Sequence, residues 1–156
     1  MGILLADMIT YVGSDLFQSH AQVLVNAVNT VGAMGKGIVL EFKRKYPEMF
    51  VQYQAMCQQG EFGIGQLWLY KSPQKWVLNF PTKRDWRDKS RIEYIETGLT
   101  QFAKIYESEG ITSISFPRLG CGLGGLNWDN QVRPLMEHYL NPLPIEVIVH
   151  IPENTL

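Results

Sequence analysis

Little in this chain could staple or anchor it. Of 156 residues only two are cysteine, Cys57 and Cys121, and three are histidine, His20, His138 and His150. Two cysteines make no framework of the kind that small secreted domains need. The scattered histidines have no acids or thiols at ligand spacing, which argues against a metal site. No stretch approaches the roughly 18 consecutive apolar residues of a membrane span, and the N-terminus lacks the basic start of a signal peptide. Internal repeats, low-complexity tracts, linkers and a Ser-His-Asp motif are also missing. A chain this long, 46% hydrophobic, buries roughly two-thirds of its unfolded surface and needs no staple. One soluble, cytoplasmic domain spanning 1–156 is the expectation. Residues 1–7 carry no clear pattern, and Met8 would serve as well as Met1 for a start; they are read as an extension outside the core.

Net charge is also nearly missing, at −1. Its distribution is not even. Residues 36–91 hold 11 of the 14 basic residues and 5 acids, a local +6, and the rest of the chain stands at −7. Such an asymmetry points to an anionic partner. From Lys71 to Arg91 seven bases and two acids are interleaved with Trp76, Phe80 and Trp86. Cations that track phosphates beside aromatic faces that stack on bases are what single-stranded nucleic acid needs. The bland alternative is a solvated basic loop. Alternation places Trp76, Leu78 and Phe80 on one strand face, so Trp86 and Arg87, with Arg84, are the expected nucleic-acid contacts.

Hydrophobic periodicity predicts strands over Ile9–Val12, Val23–Val25, Gln66–Tyr70, Trp76–Phe80, Ile111–Phe116 and Val147–Ile151. Helices are expected over about 37–46, 48–59, 90–109 and 129–139, with Gly60 and Gly110 as stops. Strands separated by helices, several strongly apolar, indicate an α/β sheet covered on both faces. Ligands of such sheets bind where strands end and helices begin.

Two glycine-rich segments lie at such points. Asn29-Thr30-Val31-Gly32-Ala33-Met34-Gly35-Lys36-Gly37 leaves a strand and enters a helix. It has neither Walker nor dinucleotide-fingerprint spacing, and alone it could be a tight turn. The second, Arg118-Leu119-Gly120-Cys121-Gly122-Leu123-Gly124-Gly125, places four glycines in six positions. Backbone N–H groups of such loops cradle anions, and two loops on one edge could grip a diphosphate.

Val25-Asn26-Ala27-Val28-Asn29, the glycine turn after it and Arg118–Gly124 together resemble the macrodomains, the ADP-ribose-binding family with a three-layer α/β/α fold. The resemblance runs from about Met8 to His150. It implies a mixed, mostly parallel sheet of about six strands. Asn29–Gly32, Met34–Gly37 and Asn79-Phe80-Pro81-Thr82-Lys83-Arg84 further resemble the DarG-type antitoxin macrodomains, which remove ADP-ribose that a toxin attaches to thymidine in single-stranded DNA. By that resemblance Asp15, with Leu16, reads the adenine amino group, although Ser14 separates Gly13 from Asp15 where the family motif has them adjacent. Asp15 could equally be a cap. The resemblance implies that Asn29 meets the distal ribose. It also implies that Gly35, Lys36, Gly37, Arg118, Gly120, Cys121, Gly122, Leu123 and Gly124 wrap the diphosphate and ribose. ADP-ribose is then ligand and product, no cofactor is expected, and a cognate ADP-ribosyltransferase toxin is an expected partner. DarG-type antitoxins usually continue into a second, toxin-binding domain, so the resemblance implies either the catalytic domain of a longer chain or a protein that acts by hydrolysis alone.

The same resemblance makes Lys83 catalytic. Phe80, Pro81 and Trp86 nearby would desolvate its amine and Arg84 would repel its proton, both favouring a nucleophile. The bland reading is a phosphate counter-ion. A related protein glycohydrolase carries an aspartate in the second glycine loop; Gly122–Gly125 has none, and the nearest acid is Asp129. That favours a DNA-linked substrate and leaves the acid/base partner unassigned. Cys57 and Cys121 are expected as packed thiols. A non-catalytic ADP-ribose reader, or a phosphatase acting on phosphorylated ADP-ribose, are the alternatives.

Overall fold

The computed structural model describes residues 8–152; the expected N-terminal extension lies outside them. Six strands, β1 (Thr10–Val12), β2 (Val23–Asn29), β3 (Trp68–Lys71), β4 (Trp76–Lys83), β5 (Ser113–Phe116) and β6 (Glu146–His150), form one sheet. Its order is β1-β6-β5-β2-β4-β3. Every pairing is parallel except the hairpin of β3 with β4. Helices α1 (Gly37–Lys45), α2 (Pro47–Gln58), α3 (Ile92–Ile105) and α4 (Arg133–Leu140) complete the three layers. The expected mixed, mostly parallel six-stranded macrodomain sheet is what forms. None of the described helices is long and apolar enough to cross a membrane.

The layers follow from strand alternation. Val23, Val25, Leu78 and Phe80 point to one face and pack with Ile95, Leu99, Phe102, Met136 and Leu140 of α3 and α4. Leu24, Val28 and Val77 point to the other, against Phe42, Met49 and Tyr53 of α1 and α2. Successive side chains of a strand take opposite faces, so a doubly covered sheet needs apolar residues at both parities.

The two central strands outrun their hydrophobic cores. β2 continues through Asn26 to Asn29, and β4 through Pro81 to Lys83. The buried Asn26 donates from Nδ2 to Asn79 Oδ1 at 3.1 Å, which joins the polar residues across the pair and leaves Asn26 Oδ1 without a partner among the described residues. Between Val28 and Asn29 the register slips by one residue: Val28 opposes Pro81, whereas Asn29 opposes Lys83. Pro81 has no N–H for the ladder, and the irregularity falls where the ladder has lost a donor.

Two helices are shorter than their patterns. Ser90 donates its N–H to Gly124 O at 2.9 Å and is held by the second loop, so α3 starts at Ile92. Its end relaxes into turns closed by Ile111 N–H to Tyr106 O at 2.9 Å, with Gly110 left-handed at φ 79°. The helix expected from Asp129 is instead a π turn, Trp128–Val132, leading into α4. Asn127 caps it, accepting from Asn130 N–H at 2.7 Å, and Pro134, without an N–H, sits in the first turn of α4.

Gly98 marks where α3 comes closest to the sheet, since a Cβ there would collide with the ring of Phe80. Alanine gains up to about 1 kcal/mol of helix propensity, but overpacking costs about 1–3 kcal/mol. Gly98→Ala is therefore expected to destabilise by about 1–2 kcal/mol, read as a lower urea midpoint at unchanged slope. A stabilised variant would contradict this packing.

Candidate active site

All the loops of interest leave the C-terminal ends of the parallel strands. After β1 the chain turns through Ser14 and Asp15. A cleft of about 420 Å³ opens there, lined among others by Asp15, Phe17, Ile38, Pro117, His150 and Ile151. Asp15 is exposed and its Oδ1 accepts the Phe17 N–H at 3.0 Å, capping the short 3-10 turn Leu16–Gln18. The cap occupies only Oδ1; Oδ2 makes no hydrogen bond among the described residues. Leu16 is buried in the core beneath. The additional Ser14 is held by His150, whose Nδ1 lies 2.9 Å from the Ser14 carbonyl. A carbonyl only accepts, so Nδ1 carries a proton, while Nε2 is hydrogen-bonded with Ser115 Oγ at 2.9 Å.

Asn29 shapes the first loop. Its Oδ1 accepts from the N–H groups of Val31, Gly32 and Ala33 at 3.1, 3.1 and 3.3 Å, and its Nδ2 donates to Ala33 O at 2.8 Å. The Tyr53 hydroxyl donates to both Asn29 O (2.8 Å) and Oδ1 (2.9 Å). Burial pushes the Tyr53 phenol far up, so it stays a neutral donor. The amide expected at the ribose is thus already engaged in folding its own loop. Beyond it Gly35, Lys36 and Gly37 are exposed, and Gly37 is left-handed at φ 66°. Nothing lies within 4 Å of a Cβ placed at Gly35 or Gly37. No side chain caps α1, so its first N–H groups remain available to an anion.

The second loop folds on itself, with Leu126 N–H to Gly120 O at 2.9 Å and Gly125 N–H to Gly122 O at 3.2 Å. A Cβ at Gly120 would lie 2.8 Å from Leu126 Cδ1, and one at Gly124 would strike the Ser90 hydroxyl. Gly122 has open space around it, and Leu123 is 71% exposed at the tip. Arg118 is half-buried at the base. Burial pushes the Cys121 thiol up to about 11 against the pull of Arg118. Burial likewise raises Cys57 to about 11.

Lys83 stands at the end of β4, half-buried, directly across the ladder from Asn29. Its Nζ donates to Trp86 O at 3.2 Å. Its surroundings are more polar than the local sequence suggests. Phe80 turns into the α3 face, Trp86 is 54% exposed, and Arg84 lies over Tyr94 at 5.5 Å. The charge that interacts with Lys83 is the carboxylate of Asp85. Arg87 grips that carboxylate with Nε at 2.9 Å and Nη2 at 2.8 Å, holding it ionised down to about 2. The guanidinium expected to meet nucleic acid is therefore paired, and lies 5.6 Å from the Trp86 ring. Thr30 ties the two segments together, donating from N–H and Oγ1 to Arg84 O, each at 3.0 Å.

Folding divides the basic stretch. β4 carries Lys83 at one end, and Lys71 and Lys75 lie at the other, about 23 Å away for a strand of this length. Lys75 is spent there on the carbonyls of Ser19 and Ala21. Arg84, Lys89 and Arg91 do gather, around a second cleft. Among the described residues no three His, Cys, Asp or Glu side chains cluster. Tyr53, Asp85, Ser90 and His150 went unsuspected as site residues. Their roles depend on partners 20 or more positions away, except for Asp85, whose partner Arg87 is two residues on.

Comparisons with known proteins bear on the family and the fold. The Macro domain family model matches residues 25–135. A Mycobacterium tuberculosis DNA ADP-ribosyl glycohydrolase is 40% identical over 93% of this chain and 42% of its own length. The chain thus spans about two-fifths of that curated relative. The solved macrodomain of Mycobacterium tuberculosis DarG superposes with a TM-score of 0.87 at 39% identity, over 94% of this chain and 99% of that one. Thermosipho africanus DarTG in complex with ADP-ribose gives a TM-score of 0.88 at 41% identity, over 94% of this chain and 42% of that one. By the family model and by these relatives, the chain belongs to the macrodomain family.

Proposed function

We propose that this domain removes ADP-ribose from nucleic acid, with thymidine in single-stranded DNA as the carrier, and that Lys83 attacks the anomeric carbon. The observation that supports it most is the placement of Lys83 opposite Asn29, on the strand next to the two that carry the glycine loops. The names of its relatives, a DNA ADP-ribosyl glycohydrolase and DarTG with ADP-ribose, point the same way. A fused DNA ADP-ribosyl transferase–glycohydrolase of Thermosipho africanus, 40% identical over 96% of this chain, supports an ADP-ribosyltransferase toxin as partner.

ADP-ribose would lie along the sheet edge. Its adenine enters the cleft beside Asp15, whose Oδ2 accepts from the amino group. Its diphosphate meets the N–H groups of both glycine loops, with Arg118 and Lys36 beside it, and its distal ribose reaches Lys83. Once Nζ has given its ammonium proton to solvent, its lone pair forms a bond to the anomeric carbon while the bond from that carbon to the base nitrogen breaks. The departing base takes one of the remaining Nζ protons, and the sugar ring opens to an iminium as water protonates the ring oxygen. The hydroxide so formed adds to the same carbon, its proton passes to Nζ, and the amine departs as the carbonyl forms and the ring recloses. The products are ADP-ribose and the unmodified strand, with Lys83 regenerated. The Trp86 carbonyl orients Nζ through one of its protons.

Lys83→Ala is expected to lower turnover of ADP-ribosylated thymidine in a single-stranded oligonucleotide by about 100-fold or more, about 2.7 kcal/mol of barrier. Calorimetric binding of free ADP-ribose should persist. Undiminished turnover would overturn the lysine mechanism, and tight binding by a wild type without turnover would favour a reader. The thiol at Cys121 is a poor competitor for the role. With its ionisation near 11, only about one thiol in 10⁴ is thiolate at pH 7. Cys121→Ser should leave turnover within about twofold, and iodoacetamide alkylation of the wild type should still accelerate above pH 9. A rate that levels off below pH 9 would contradict the buried, protonated thiol.

A further inference from the structure

We infer that the cleft beyond Lys83 is a phosphodiester subsite for the strand that carries the ADP-ribose. It measures about 440 Å³ and is lined by Arg84, Asp88, Lys89, Ser90, Arg91 and Tyr94. The inference rests on the reading proposed above and adds to it a place for the strand and residues to hold it.

Three observations converge on this cleft. Its lining carries three cations and one acid, and Arg84, Lys89 and Arg91 are all exposed. No ion pair among the described residues takes any of the three, in contrast to Arg87, which Asp85 neutralises. Ser90 is 6% exposed, and its hydroxyl has no hydrogen-bond partner among the described residues. Its N–H is already given to Gly124, so the orphan is the side chain alone. A buried hydroxyl without an acceptor is costly; this one lies under the second loop, where a Gly124 Cβ would strike it, so a phosphate gathered by the three cations reaches it as that loop shifts. α3 also begins here without a side-chain cap, which adds its positive end to the same place.

Position supplies the chemistry. Along the sheet edge the Asp15 cleft lies at β1 and β6, the glycine loops at β5 and β2, and Lys83 at β4. That span is four strand spacings, about 19 Å, with ADP-ribose laid out along it. A base joined at the anomeric carbon must leave beyond Lys83, where the chain runs through Trp86 into this cleft. Lys89 borders the second loop, its Cδ 3.7 Å from where a Gly125 Cβ would be. The exposed Trp86 ring between nucleophile and cleft offers a stacking face for a neighbouring base.

The probe is an unmodified single-stranded oligothymidylate, titrated by fluorescence anisotropy in saturating ADP-ribose over a range of salt. Lys89→Glu with Arg91→Glu is expected to weaken its binding by about tenfold or more and to flatten the log–log salt slope by about 0.7 per lost phosphate contact. Ser90→Ala should weaken it less, at unchanged salt slope. Binding of free ADP-ribose by the charge-reversed protein serves as the fold control. Equal losses for oligonucleotide and ADP-ribose would assign the cleft to ADP-ribose and overturn the inference. So would oligonucleotide binding that is unaltered in the variant or missing in the wild type. Turnover of an ADP-ribosylated thymidine within a single-stranded oligonucleotide separates the two readings. Its absence in a wild type that binds oligonucleotide through this cleft sinks the hydrolase proposal and leaves the subsite standing.

Discussion

The pairing of β2 with β4 is the constraint on which the rest of this molecule depends. Over Val23–Val28 it is a parallel ladder between buried strands, apolar on both faces but for the Asn26–Asn79 pair. At Asn29 it slips by one residue, and Lys83 becomes the partner. One amide then organises the first loop: three N–H groups and the Tyr53 hydroxyl converge on Asn29 Oδ1. A buried acceptor with that many donors leaves the loop few alternative shapes. Thr30 next bonds the Arg84 carbonyl, so the loop and the segment carrying Lys83 are fixed to each other.

Charge is sorted by the same architecture. A strand separates the basic run into two ends, and only one lies on the working edge. There, Arg87 is consumed by Asp85 while Arg84, Lys89 and Arg91 are left for a ligand. The Asp85–Arg87 pair lies at the surface, with Arg87 exposed and Asp85 partly covered, and its value lies in shaping the turn under Trp86 and Lys83 more than in stability. The near-neutral chain thus presents a cationic edge without being a basic protein. Burial pushes both cysteine thiols up to about 11, which makes them poor nucleophiles near neutral pH.

Much of the fold was legible because it rests on patterns with a period. Six apolar runs alternating with helical stripes are six strands and four helices, and both glycine segments sit at strand ends. The misjudged boundaries are polar. Asn26–Asn29 and Pro81–Lys83 look unlike strand, yet the Asn26–Asn79 bond and the ladder carry them into it. Ser90 looks like the start of a helix until Gly124 claims its N–H. In the site, backbone-determined features such as the glycine loops could be read from the sequence, and side-chain pairings could not. Nothing local announces that Asn29 answers to Tyr53, or that His150 steadies the turn before Asp15. Arg87 looks like a free cation because a list of charges does not show which are paired.

The central claim is that the Lys83 amine bonds covalently to the anomeric carbon. Reduction with borohydride during turnover, or in the presence of ADP-ribose, followed by peptide mapping, tests it directly. The account predicts an ADP-ribose-derived adduct on the peptide containing Lys83, lost in Lys83→Ala. Active wild-type protein that yields no adduct there, or an equal adduct on other lysines, would contradict it.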